Sequence, residues 1–446
     1  MLSYKIADFI LSLQFDTLPP QTVHMTGLAF LDWLGSALRG GAEAPASMAL
    51  SVLQAQGGQP QATILPSREK TSALNAALAN GIGSHIVELD DVHRGAILHA
   101  GAVVIPAALA VAEMVHADGR RLIESIVAGY ETAIRIGEAV SPSHYYFWHT
   151  TGTCGTFGAC AAAGKLLGLD REQLVWAVGN AGTQAAGLWE FITDGAMSKH
   201  LHAGKAAYNG LLAALLAKEG FTGAKAVIEG DRGFCRATAP QFDLSKITDG
   251  LGIPPYKIED NSFKFHASCR HTHHAIDLIL DLAASNDINP GEIASLTVKT
   301  YHTALDITAN PDPRSPFAAK FSLPFCAALA IVNRSCGLED FSAESLSNPE
   351  IRRLAERVRL EVDEEIESLH PAKWGARVEI VTMSGKSYSA RTDFPKGDPE
   401  NPLDDDQLIS KFRRLAGYSW GKEKVDSLLH AALHLERIED IANLFD

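Results

Sequence analysis

Through most of the first 240 residues, apolar positions recur at three- and four-residue intervals. This pattern predicts helices over residues 22–38, 72–89, 105–116, 122–140, 156–167 and 205–218. Gly40-Gly41, Gly168 and Gly220 stand where the periodic runs end, as helix stops do. The 156–167 run is made almost wholly of small residues, which lets neighbouring helices approach closely and marks it as central and buried. After about residue 290 the period changes from helical to alternating. Residues 294–300, 358–362, 376–383 and 386–392 read as four strands, with Ser384-Gly385 as a hairpin turn between the last two. Helical stretches intervene at 272–282, 321–332 and 349–356, residues 396–406 read as a loop, and 407–444 is helical again.

This order predicts a mainly α protein with a second, α+β domain. The large helical domain draws on both chain ends (1–267 and 397–446). The smaller α+β domain (268–396) is inserted as a lid, with a cleft between the two. A length of 446 residues accommodates such an arrangement. Composition narrows the function. With a net charge of −14, the chain lacks the clustered Lys and Arg that nucleic acid or an anionic membrane surface requires. Six scattered cysteines without a C-x-x-C pair, and a first segment too interrupted for a secretory signal, predict reduced thiols and a cytoplasmic protein.

Seventeen histidines are the unusual feature, and they concentrate in four strings. These are ELDDVHRGAILHAG (88–101), HYYFWHTTGTCG (144–155), MSKHLHAGK (197–205) and KFHASCRHTHH (264–274). Arg94, Lys199, Lys205, Lys264 and Arg270 lie in the same strings, so their convergence would form a cationic pocket for a small polycarboxylate. The i, i+2 histidine spacings do not place two ligands on one helix face and there is no HExxH, so no metal is expected. Gly152-x-x-Gly155-x-x-Gly158 lacks the Walker A spacing, and neither a dinucleotide fingerprint nor G-x-S-x-G occurs. What remains is cofactor-free acid–base chemistry by His, Lys, Tyr and Asp.

The strings ELDDVH, HAGAVVIPAALAVAE, HTTGTCGTFGACAAAGKLLGLD, SKHLHAGKAAYNGLLAALLAKEGFTG, KFHASCRHTHHAID and KFSLPFCAALA resemble the MmgE/PrpD family. The resemblance implies a large helical domain with a smaller α+β lid, a homodimer, and a cleft holding Asp90, Asp91, His149, Lys199 and Lys264. It implies one of the family's activities: 2-methylcitrate dehydration, cis-aconitate decarboxylation or iminodisuccinate epimerisation. Glu88 stands where the family usually has Asp, Val92 where it has Thr, and Cys269 where decarboxylases tend to carry His. The family's His–Pro histidine is shifted by one position, to His99.

Those departures direct the reading to an isomerase: a cofactor-independent epimerase of an amino-dicarboxylate such as iminodisuccinate. A 2-methylcitrate dehydratase or cis-aconitate decarboxylase-like lyase is the alternative, and a non-catalytic carboxylate-binding protein the third. Epimerisation needs acid–base groups on opposite faces of the carbon and cations to stabilise the enediolate. Lys199, His149, Tyr145 and Tyr146 are the catalytic candidates. Lys264, His266 and Arg270 would clamp carboxylates, joined at the binding surface by His99 and by Asp90 and Asp91, which orient histidines.

Overall fold

The computed structural model describes residues 1–446 and divides into two compact units. The first comprises Met1–Phe191, Met197–Ser262 and Asp404–Asp446; the second comprises Ile192–Ala196 and Phe263–Leu403.

The first unit is helical apart from one short hairpin, Ala62–Ile64 against Glu69–Thr71, which the sequence pattern does not announce. Its centre is the helix Thr150–Leu166, packed against Gly101–Met114, Gly119–Val140 and Ser198–Lys218. Small residues make this packing close. A Cβ added at Gly210 would lie 2.6 Å from the Thr156 carbonyl oxygen, and one at Gly129 would lie 2.9 Å from that of Gly158. Side-chain caps set several starts: Ser72 accepts from the Asn75 amide, and Asp118 from that of Arg121. The helix expected to run to residue 89 stops at Ser84. Beyond it the chain forms an irregular segment in which Glu88 and Ile97 take left-handed φ values of 59° and 50°. Two isolated pairings hold this segment, Val92 with Ser262 and His93 with Leu98.

The helix Asp405–Ala416, in the last stretch of the chain, packs against Pro20–Gly40. Its Lys411 is buried, and the Nζ donates to Asp32 Oδ1 and to the Leu89 carbonyl, both at 2.5 Å. A residue near the end of the chain thus braces the irregular segment from behind.

The second unit contains a four-stranded sheet in the order Val358–Val362, Ile293–Thr300, Ala376–Thr382, Ser387–Thr392. The first two strands pair in parallel and the others antiparallel. All four are the strands the alternation predicts, and Gly385 turns the last hairpin at a φ of 83°. The helix Arg270–Ser285 lies on the last two strands and against Leu323–Asn333. No helix of the chain is long and apolar enough to cross a membrane.

Candidate functional site

Three of the four histidine strings meet within the first unit. The irregular segment supplies Glu88, Asp90 and His99, the residue before helix Thr150–Leu166 supplies His149, and helix Ser198–Lys218 supplies Lys199 and His202. His85, just past the end of its helix, joins them.

Asp90 organises one half of the group. Its Oδ2 lies 2.7 Å from His85 Nδ1 and 3.2 Å from His99 Nδ1. His99 Nδ1 also donates to the Asp91 carbonyl oxygen at 2.7 Å. Both rings therefore carry their proton on Nδ1, an assignment that follows from their acceptors. The other half is an imidazole pair: His149 Nδ1 and His202 Nδ1 are 3.2 Å apart, so one donates and the other accepts. His85 stacks on His149 at 5.5 Å, while Trp189 and Phe191 close on His149 at 5.2 and 6.1 Å.

Charge in the group is sparser than its composition suggests. Burial pushes His85 down to about 4 against the pull of Asp90, and burial with His85 and Lys199 nearby lowers His202 to about 4. Burial and the neighbouring His202, His85, Lys199 and His99 hold His149 well below the usual imidazole range. Burial opposes charge on Asp90 too, yet His85 and His99 keep its carboxyl well below its ordinary value. Thus His85, His149 and His202 are neutral near pH 7. The Lys199 ammonium is ion-paired, buried, with Glu88. The left-handed backbone at Glu88 costs a non-glycine residue about 1–2 kcal/mol.

Asp91 does not face this group. Its carboxyl accepts from Tyr130 Oη and Asn261 Nδ2, each at 2.6 Å, and from the Gly101 amide at 2.9 Å, where the next helix begins. Burial pushes it up to about 7. Tyr145 packs edge-on to Trp189 at 4.8 Å. Tyr146 is 79% exposed and packs edge-on to Phe147, so the structure does not bring it to the histidines.

Lys264, His266 and Arg270 belong to the second unit, all buried. Arg270 bonds Asp398 Oδ1 at 2.5 Å, the Lys396 carbonyl at 2.9 Å and His273 Nδ1 at 3.0 Å. His266 Nε2 sits 2.8 Å from Asp277 Oδ1, and the Lys396 amide donates to Asp277 Oδ2 at 2.7 Å. The guanidinium read as a carboxylate clamp is thus committed to its own unit.

Sequence reasoning named Asp90, His99, His149 and Lys199 and missed His85, Glu88 and His202. The i, i+3 spacing of Lys199 and His202 on one helix was the available signal. Ligand atoms of His85, Asp90 and His99 lie within 4.8 Å of one another, close enough to hold a cation. Binding one through either Nδ1 would displace the hydrogen bonds just described.

Residues 4–246 match the MmgE/PrpD N-terminal domain and residues 266–436 the MmgE/PrpD C-terminal domain. The chain is 30% identical over 411 residues to cis-aconitate decarboxylase of Aspergillus terreus, covering 85% of this chain and 81% of that protein. It is 26% identical over 404 residues to cis-aconitate decarboxylase of Homo sapiens, covering 87% of this chain and 80% of that one. These relatives are decarboxylases, and they overturn the isomerase expectation. The departures at Glu88, Val92 and Cys269 were too few to outweigh likeness over the rest of the chain.

Proposed function

The chain belongs to the MmgE/PrpD family, and we propose that it is a lyase that removes CO2 from a small unsaturated polycarboxylate of the cis-aconitate type. The observation that carries this reading is the buried group of neutral imidazoles beside the Lys199–Glu88 pair. Decarboxylation breaks the bond between carbon and the leaving carboxylate, and the electron pair stays on the substrate carbon. Two things are then needed: a cation to stabilise the charge that develops on the remaining carboxylates, and a proton to take the place of CO2. Lys199 provides the first. His149 provides the second, from Nε2, since its Nδ1 is engaged with His202. Asp90 fixes the rings of His85 and His99 through their Nδ1 atoms, and the neutral His85 keeps Nε2 as an acceptor. The aromatic wall of Trp189 and Phe191 limits water, which strengthens each charge interaction.

The test is incubation of the purified protein with cis-aconitate labelled in its carboxylates, followed by 13C NMR. Enzyme-dependent labelled CO2 and a dicarboxylate product are expected. Retention of all label, with 2-methylcitrate converted to an alkene under the same conditions, would replace decarboxylation by dehydration. The reading includes a homodimer, checked by light scattering over a tenfold range of concentration.

A further inference from the structure

Decarboxylation consumes one proton per turnover, because CO2 leaves and hydrogen takes its place. If His149 gives that proton to the substrate carbon, it must be recharged from water each cycle. Yet His149 is only 1% exposed and stacks on His85, which is fully buried. Trp189 and Phe191 pack against it and carry no exchangeable acid for the task. His202 is different. It is half-buried rather than closed off, and its Nδ1 meets His149 Nδ1 at 3.2 Å.

We propose that His202 is the proton inlet of the site, passing a proton from solvent to His149 in every turnover. This rests on the decarboxylase reading, since that reaction has a net demand for protons. His202 takes a proton from water at Nε2 and becomes imidazolium. Its Nδ1 proton crosses to Nδ1 of His149, and His149 releases its Nε2 proton to the carbon that lost CO2. Both rings end neutral, with the hydrogen bond between them reversed. Water refilling the site on product release restores the starting tautomers.

The surroundings suit this role. The Gly187 carbonyl accepts from the His149 amide at 2.9 Å, and the Gly187 Cα side faces the other ring. A Cβ at Gly187 would lie 3.3 Å from both Cγ and Nδ1 of His202, and one at Gly152 would lie 3.1 Å from its Cβ. Two glycines thus leave the seat that brings the rings together. The ionisable groups acting on the pair are His85, His99 and Lys199, with Asp90 behind the first two. A substrate polyanion entering among them favours a protonated ring against the burial and neighbouring positive groups that keep the pair neutral, so the relay is primed when substrate is bound.

His202 acts through His149, so it is a positioning residue, and orientation must be separated from proton transfer. In His202→Ala, kcat for CO2 release is expected to fall about 10²-fold, the lower end for loss of an acid–base group, with KM little changed. Added imidazole should restore much of the rate, and substituted imidazoles should do so in order of their basicity. His202→Asn keeps a hydrogen-bonding group near His149 but cannot pass a proton, so it should remain slow. An Asn variant near the wild-type rate would reduce His202 to an orienting group and overturn the relay. So would a folded Ala variant, judged by circular dichroism, that imidazole does not rescue. If the Ala variant fails to fold, the Asn variant decides. A wild-type chain that releases no CO2 removes the decarboxylase reading and the relay together, whereas CO2 release with a fast Asn variant removes the relay alone.

Discussion

The first unit's histidine group and the second unit's Lys264–His274 string contain the same residue types, both buried and both rich in bases. They differ in what their charged and imidazole groups are bonded to. In the second unit Arg270 has Asp398, the Lys396 carbonyl and His273, while His273 Nε2 reaches the Ser268 carbonyl at 3.2 Å. Asp277 is matched to His266 and the Lys396 amide. In the first unit one carboxylate, Asp90, serves two imidazoles, and His149 and His202 have mainly each other. A carboxylate matched to each of Arg270 and His266 makes a rigid strut, whereas two imidazoles bonded to each other can pass a proton along that bond. The basic strings look alike in the sequence because that difference lies in distant partners.

The strongest way to break this contrast is to neutralise the reactive half. Lys199→Met alone would strand a buried Glu88 carboxylate and cost about 3–5 kcal/mol in stability. The double variant Lys199→Met with Glu88→Gln avoids that. It should lose about 10²–10⁴ in turnover while its melting temperature stays close to wild type. Turnover within tenfold of wild type would remove Lys199 from the mechanism.

Arg270→Ala should show the opposite profile, because it leaves Asp398 buried without its guanidinium. Denaturant unfolding should show a loss of about 3–5 kcal/mol. If a stability change under 1 kcal/mol (roughly the worth of an exposed pair) accompanied a large rise in KM, Arg270 would be a substrate clamp after all.

Acid should reveal the neutral histidines. His85 and His202 have folded values of about 4, below the ordinary histidine value, so their contribution to stability is complete above about pH 6.5. It is lost as pH falls from there towards 4, because the unfolded chain takes up protons first. Calorimetry from pH 7 to 4.5 should show the melting temperature falling. Added succinate should stabilise more at pH 6 than at pH 7.5, since an anion favours the protonated rings. A succinate effect independent of pH would separate anion binding from the imidazoles.

The smallest effect concerns Asp91, whose folded value is raised to about 7. Its contribution is present at low pH and lost as pH rises through 7, opposite in sign to the histidines. Asp91→Asn should lower stability only slightly and flatten its pH dependence between 5 and 7.5. Asn261 Oδ1 has no hydrogen-bond partner, so turning that amide over would let it accept a proton from a neutral Asp91.

The fold was legible where periodicity is strong. Alternation marked all four strands of the second unit, and small-residue packing marked the central helix. The short helix Ala44–Gln56 and the hairpin at 62–71 carry too few periodic positions to stand out. The site was legible where chemistry and local spacing coincide, as at Asp90 and Lys199. His85 was hidden because the apolar pattern runs on through residue 89 although the helix ends at Ser84. Tyr146 was included by adjacency, but the turn that carries it sends neighbouring side chains different ways. Arg270's partner lies 128 residues away, beyond any local pattern.

The contact between Lys411 and the Leu89 carbonyl also bears on how the chain can be cut and made. The N-terminal family domain ends at residue 246, which suggests a natural place to truncate for a smaller protein. A fragment ending there would keep His85, Asp90, His149, Lys199 and His202 yet lack the helix that braces the loop between the first two. During synthesis the same dependence makes the brace one of the last parts to leave the ribosome. Split or shortened versions should therefore carry residues 404–446 back, covalently or as a second polypeptide, before any test of activity.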